Sequence, residues 1–246
     1  MRYGWVYPHH IRARLALVCR AWYTVLYNEP RVWTTIVFPG RFLAYPESVS
    51  LWIKKSKSVP LVVFIVRCGM DLGPHDSFLS MLRQEMWRIR CLFWHISLEM
   101  HLSVLFPFGV STNAPMLQNF ALFRPFDSNP DSFKLSDIHC PELRTLALGY
   151  VEFDVSTVGP LKNVHHLSTD QGFPDLHHVN LALPYLRLLE ALPNLVSLSL
   201  TSSGYCTSLL VVFPRVVLQP LKSLTLKIML RGHDDKYAEM SPCSLA

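Results

Sequence analysis

The chain has 246 residues, half of them apolar and 17% charged, and a formal net charge of +5. That balance excludes a chain disordered throughout and allows one large domain, or a small module beside a larger one. Its one dense basic patch, Lys54, Lys55 and Lys57, is too short for a nucleic-acid surface, which needs a broader stripe, so no nucleic-acid partner is expected.

Cysteines 19, 68, 91, 140, 206 and 243 are scattered, with no C-x-x-C and no zinc-site spacing. Reduced thiols and a cytoplasmic or nuclear location are the expectation. Residues 1–14 carry Arg2, His9, His10, Arg12 and Arg14 but no apolar run, so no secretory signal is expected. The most apolar window, 91–110, holds His95, Glu99 and His101. Such groups are costly in lipid, and no membrane span is expected.

In chain order, Leu15, Val18, Trp22 and Val25 recur at helical spacing and predict one helix with one apolar stripe. Leu17, Arg20 and Tyr23 lie off that stripe and are the expected outward contacts. The helix must stop before Pro30. The β-branched segment "VWTTIVF" follows. Residues 46–56 predict a second helix, started by Pro-Glu-Ser, with Val49, Trp52 and Ile53 on one face. "PLVVFIV" (60–66) predicts a strand. Residues 76–86 predict a third helix capped by Asp76, and 89–94 another strand.

This alternation points to a repeat. The template apolar-x-x-apolar-x-apolar fits Trp33-Ile36-Phe38, Leu61-Phe64-Val66, Ile89-Leu92-Trp94 and Leu117-Phe120-Leu122. It fits again at Leu143-Leu146-Leu148, Leu195-Leu198-Leu200 and Leu221-Leu224-Leu226. Val164-Leu167 begins a copy that Thr169 interrupts. The starts are 28, 28, 28, 26, 21, 31 and 26 residues apart, the length range of leucine-rich repeats. The Asn expected after each strand is missing: Pro125, Val151, Gly172 and Ser203 occupy those places. Pro115, Pro141, Pro193 and Pro220 precede strand starts, where a missing N–H is tolerated.

The segment "LALVCRAWYTVLYNEPRVWTTI" (15–36) resembles the second half of an F-box as found in fungal F-box-like proteins. Val18, Cys19, Arg20, Trp22, Pro30 and Trp33 match its V-C-R-x-W helix and Pro-x-x-Trp step. "LWIKKSKSVPLVV" and "PNLVSLSL" look like later parts of that family. The family's Leu-Pro-bearing first helix has no counterpart in residues 1–14, so an N-terminally truncated F-box is expected, and the polar ending "MSPCSLA" suggests truncation there too.

The resemblance implies an α/β fold: a partial F-box-like helical module (1–40), an irregular leucine-rich-repeat solenoid with a curved parallel sheet (41–230), and a disordered polar tail (231–246). It implies a substrate-recognition subunit of a cullin-based ubiquitin ligase. A Skp-family adaptor would dock on Leu17, Val18, Cys19, Arg20, Trp22, Tyr23, Pro30 and Trp33. An unnamed protein client would meet the concave-face positions Arg90, Phe93, Gln118, Asn119, Arg144, Thr145, Ser197 and Ser223. The alternative is a non-catalytic repeat scaffold whose F-box remnant caps the solenoid. Trp33 also begins a repeat strand, so packing competes with docking there.

Catalysis is not expected. There is no G-x-S-x-G, no glycine-rich phosphate loop and no H-E-x-x-H. The pairs His9-His10, His165-His166 and His177-His178 are adjacent, so their side chains diverge and do not chelate one ion. No metal or cofactor is expected.

Overall fold

The last two apolar positions of the repeat, in all copies but the second, become two rows of one sheet, buried over most of their length. The structure, a computed structural model, describes residues 8–39, 46–66, 75–95, 112–123, 133–134, 138–149, 153–154, 161–171, 188–203 and 220–229. Eight strands pair in parallel, in the order in which the chain makes them. They are β1 (Thr35–Pro39), β2 (Leu61–Val66), β3 (Ile89–His95), β5 (Asn119–Phe123), β8 (Thr145–Gly149), β10 (His166–Gln171), β11 (Ser197–Ser203) and β12 (Ser223–Met229). Four helices are described: α1 (Pro8–Ala16), α2 (Arg20–Asn28), α3 (Pro46–Ser56) and α4 (His75–Gln84). The fold is mixed α/β with few helices.

Strand register shows why the spacing matters. Ile36, Val63, Leu92, Phe120, Leu146, Leu167, Leu198 and Leu224 stand side by side in one row. Phe38, Ile65, Trp94, Leu122, Leu148, Thr169, Leu200 and Leu226 form the next. The described core is a single cluster that joins these rows to Val49 and Trp52 of α3 and to Leu79 and Leu82 of α4. A side-chain period of two sends the alternate residues to the opposite face.

Each later strand is prepared by the same turn. Leu117, Leu143, Val164 and Leu195 donate to the carbonyls of Ala114, Cys140, Leu161 and Leu192, at 3.1–3.3 Å. Pro115, Pro141 and Pro193 sit second in three of these turns, where their fixed φ is favourable. Next, one carbonyl accepts from two consecutive N–H groups of the following strand. Gln118, Arg144, His165 and Val196 each play this part. Two-residue strands stack likewise between the long ones: β4 (Thr112–Asn113) on β7 (Ile138–His139), and β6 (Phe133–Lys134) on β9 (Phe153–Asp154).

The structure corrects several expectations. The first helix is two, broken at Cys19, whose extended backbone (φ −163°, ψ 167°) caps α2. Its expected core stripe is exposed at Val18 (64%), Trp22 (49%) and Val25 (64%), and Leu26 is buried instead. The second repeat is shifted by one residue: Val63 and Ile65 are buried, and Phe64 and Val66 face the other way. In a continuously apolar strand, composition carries no phase. Thr169 does not interrupt its copy; it is buried between Leu148 and Leu200. The third helix ends at Gln84, and a 3-10 turn (Met86–Arg88) follows. Ser203 closes β11 rather than making a turn. The 231–246 tail, His177-His178, Pro125, Val151 and Gly172 lie outside the described residues.

One buried cation ties the first repeats together. Arg88 donates to the Ser56 hydroxyl (3.0 Å) and to the carbonyls of Val59 (2.9 Å) and Ile53 (3.1 Å), and it pairs with Glu85. It therefore sits at the negative end of α3 and caps its last carbonyls. Lys57, just beyond, has a left-handed φ of 51°.

Candidate functional site

The N-terminal helices present the most exposed apolar surface described. Leu17 (86% exposed), Val18 and Cys19 lie at the break, and Arg20, Trp22 and Tyr23 follow on α2. All six expected contacts are solvent-facing. Pro30 and Trp33 are half-buried. Trp33 Nε1 donates to the Leu26 carbonyl at 2.8 Å, and its ring meets Tyr27 edge-on at 6.5 Å. Trp33 thus fixes α2 to the start of the sheet, the packing role that competed with docking. Arg14 and Arg20 are exposed here and residues 11–28 carry no carboxylate, so this surface is cationic as well as apolar.

The α2 helix has two apolar faces. Trp22 and Val25, three residues apart, share the outer one. Leu26 turns inward, and Tyr23 and Tyr27 flank it, still partly exposed and stacked on each other with ring centres 5.6 Å apart. Lys55 Nζ rests on the Tyr27 ring at 3.1 Å. Behind them is an apolar cleft of about 250 Å³, walled by Arg12, Ala16, Tyr27, Trp33, Leu51 and Trp52 among others. Arg12 lies 5.3 Å from the Trp33 ring centre and 5.5 Å from that of Trp52. Its Nη2 donates to the Thr35 carbonyl at 2.7 Å.

The expected client positions divide into two sets. Asn119, Thr145, Ser197 and Ser223 share one row of the sheet's outer face with Cys91 and His166. Phe93 is in the adjacent row, 5.9 Å from Phe64 and 5.4 Å from Phe123 between ring centres. That row runs Val37, Phe64, Phe93, Ala121, Ala147, Ser168, Ser199, Thr225. The face therefore changes from aromatic at β2–β3 to hydroxyl-lined at β10–β12. Gln118 and Arg144 stand just before β5 and β8 and line a polar groove with Asn119 and Thr145. Arg90 is the extra residue where register shifts between β2 and β3, and its carbonyl accepts from Gln118.

Sequence reasoning missed an asparagine step. Asn163 donates to the Pro141 carbonyl (2.6 Å), and Asn194 to the Lys162 carbonyl (2.8 Å). Each ties a turn to its predecessor from the residue just before the repeat's first apolar position. The asparagines stand before the strand, not after it. Gln118, Asn119, Arg144, Asn163, His165 and His166 line a polar groove of about 610 Å³ along these turns. Among the described residues, no group of three or more His, Cys, Asp or Glu could hold a metal ion. No described helix is long and apolar enough to cross a membrane.

Burial pushes the Cys140 thiol up to about 11, whereas Cys19 is exposed. Comparisons with protein-family models, with curated proteins and with solved structures find no match to this chain.

Proposed function

We propose that the chain is a non-catalytic protein-interaction adaptor, built as a short F-box-like helical pair followed by an irregular leucine-rich-repeat solenoid. The equivalent turns, the shared two-donor carbonyls and the in-order parallel strands support the repeat reading. The observation that carries the docking reading is the exposed apolar surface at the α1–α2 break and on α2: Leu17 and Val18 in the turn, and Trp22 and Val25 on the helix, are large, apolar and left in water. Contiguous apolar patches of this kind mark interaction surfaces. On this reading the helical pair docks a Skp-family adaptor, and through it a cullin ligase, in the cytoplasm or nucleus. The outer face of the sheet, with Phe93, Asn119, Thr145, Ser197 and Ser223, meets a protein client.

A second reading has its own support. Arg12 of α1 donates to Thr35 on the first strand of the sheet, so the helices also act as an N-terminal cap. Co-expression with a Skp-family adaptor and affinity purification separates the two. Docking predicts retention that Leu17→Asp abolishes. A pure cap predicts a soluble chain that never retains the adaptor.

A further inference from the structure

Six residues at one repeat position are tied in a line. The N–H groups of Gln118, Arg144, His165, Val196 and Lys222 each donate to the carbonyl of the residue one repeat earlier, from Arg90 to Val196, at 2.8–2.9 Å. Strand register sets the residues that follow them side by side as well: Cys91, Asn119, Thr145, His166, Ser197 and Ser223. None of the residues in these two lines is a carboxylate, and Arg90, Arg144 and Lys222 are exposed cations.

The middle of the two lines is the polar groove of about 610 Å³. Its walls face water: the Arg144 side chain is 61% exposed, and Asn119, Asn163 and His166 are exposed as well. Glu142 is the one carboxylate among the lining residues. It stands 3.9 Å from Arg144 with 53% of its own side chain exposed, a pair too long and too wet to hold the cation. Arg90 and Arg144 are two strands apart and Arg144 and Lys222 three, so at about 4.8 Å per strand they are separated by roughly 10 Å and 14 Å. An extended peptide rises about 3.3 Å per residue, so carboxylates three or four residues apart match them. The carboxamides of Gln118 and Asn119 suit the amides of such a chain, since each has donors and an acceptor. Phe, Tyr and Trp are missing from the groove lining, and single-stranded nucleic acid needs such rings to stack on.

We propose that this groove binds an extended, acidic segment of a protein, with Asp or Glu at every third or fourth residue meeting Arg90, Arg144 and Lys222. The segment is the part of the client that the outer face receives, so the assignment rests on the client reading but not on adaptor docking.

The test uses the full chain and fluorescence anisotropy. The probes are a labelled peptide of four Glu-Ser-Ser triplets, the same peptide with Gln for Glu, and oligothymidylate of equal length. The acidic peptide is expected to bind about tenfold more tightly than the neutral one, since each of three exposed ion pairs adds a little. The preference should fade as salt rises. Arg144→Glu with Lys222→Glu should remove it. Lys54→Glu with Arg83→Glu makes the same change in net charge on α3 and α4 and should leave it intact; all four side chains are exposed. A random peptide library selected on the wild-type chain separates this assignment from the client reading. Enrichment in Asp and Glu is expected. Peptides selected without it would overturn the acidic segment and keep a client, and no selected peptide would overturn both. Equal binding of the two labelled peptides, no binding of either, tighter binding of oligothymidylate, or equal losses in the two double variants would also overturn the proposal.

Discussion

The guanidinium of Arg12 reaches across 23 residues of sequence to the carbonyl of Thr35. The Val62 N–H takes the carbonyl of Thr34, so the backbone of Thr35 points away from β2, off the sheet's first edge. Arg12 covers an edge group there, and Pro39, lacking an N–H, leaves one donor fewer on the same edge. Open edges invite pairing with other chains. Replacing Arg12 with Ala removes this contact and a packed side chain between two indoles. The expected cost is about 1–3 kcal/mol in urea unfolding, with light scattering showing more self-association.

The contrast between Leu17 and Leu26 separates docking from packing. Leu17→Asp should change stability by no more than about 0.5 kcal/mol, as an exposed substitution does. Leu26→Ala should cost about 2–4 kcal/mol, because Leu26 is the buried side chain of α2. Parallel thermal melts of the two variants check both values.

Arg88 is a structural cation. Its described partners are a carboxylate, a hydroxyl and two carbonyls. Arg88→Met leaves Glu85 and the Val59 carbonyl without this donor, while the Ser56 hydroxyl keeps its bond to the Ile53 carbonyl. A loss of about 3–5 kcal/mol is expected. Arg88→Lys should recover only part of it, since an ammonium cannot reproduce the planar fork. Urea midpoints of the two variants measure the difference.

Lys57 holds a left-handed conformation just after α3, where a side chain is unfavourable. Lys57→Gly is expected to stabilise the chain by about 0.5–1 kcal/mol, read as a higher melting temperature.

The cysteines give a pH prediction. Cys140 has a folded-state pKa of about 11 against an ordinary 9.0, because its burial disfavours the thiolate. Between those values the folded form holds the proton that the unfolded form releases. The contribution is intact below pH 9 and is lost as pH rises towards 11. Cys140→Ser should flatten the alkaline fall in stability over that interval. In the native protein at pH 8, iodoacetamide should label exposed Cys19 and spare Cys140, as peptide mass mapping would show.

Much of the sheet was legible because its strands repeat at nearly constant spacing. Residues such as Leu143, Leu146 and Leu148 mark a strand by their period, and all three are buried. Phase was legible only where polar residues alternate with apolar ones. In "PLVVFIV" every position is apolar, and Arg88 and α3, acting from elsewhere in the chain, decide which face is buried. The break at Cys19 was not legible, since Val18, Cys19 and Arg20 carry neither glycine nor proline. What separates the helices is the need to bring Leu26 and Tyr27 against Trp33, a tertiary demand. Leu17 and Tyr23 are exposed as expected, but not through helical spacing: Leu17 lies in the turn before α2, and Val18, Trp22 and Val25 of the supposed inner stripe are exposed as well. The Arg12 cleft was not legible, because it assembles residues from three helices and the 3-10 turn around Trp33.

Docking of an adaptor, as proposed, requires Leu17 and its exposed neighbours as the contact surface. Native mass spectrometry of the purified chain mixed with a Skp-family adaptor tests it most directly, with Leu17→Asp beside the wild type. A one-to-one complex is expected for the wild type, and free subunits for a Leu17→Asp variant that melts at the same temperature. Free subunits from both proteins, or the same complex from both, would contradict it.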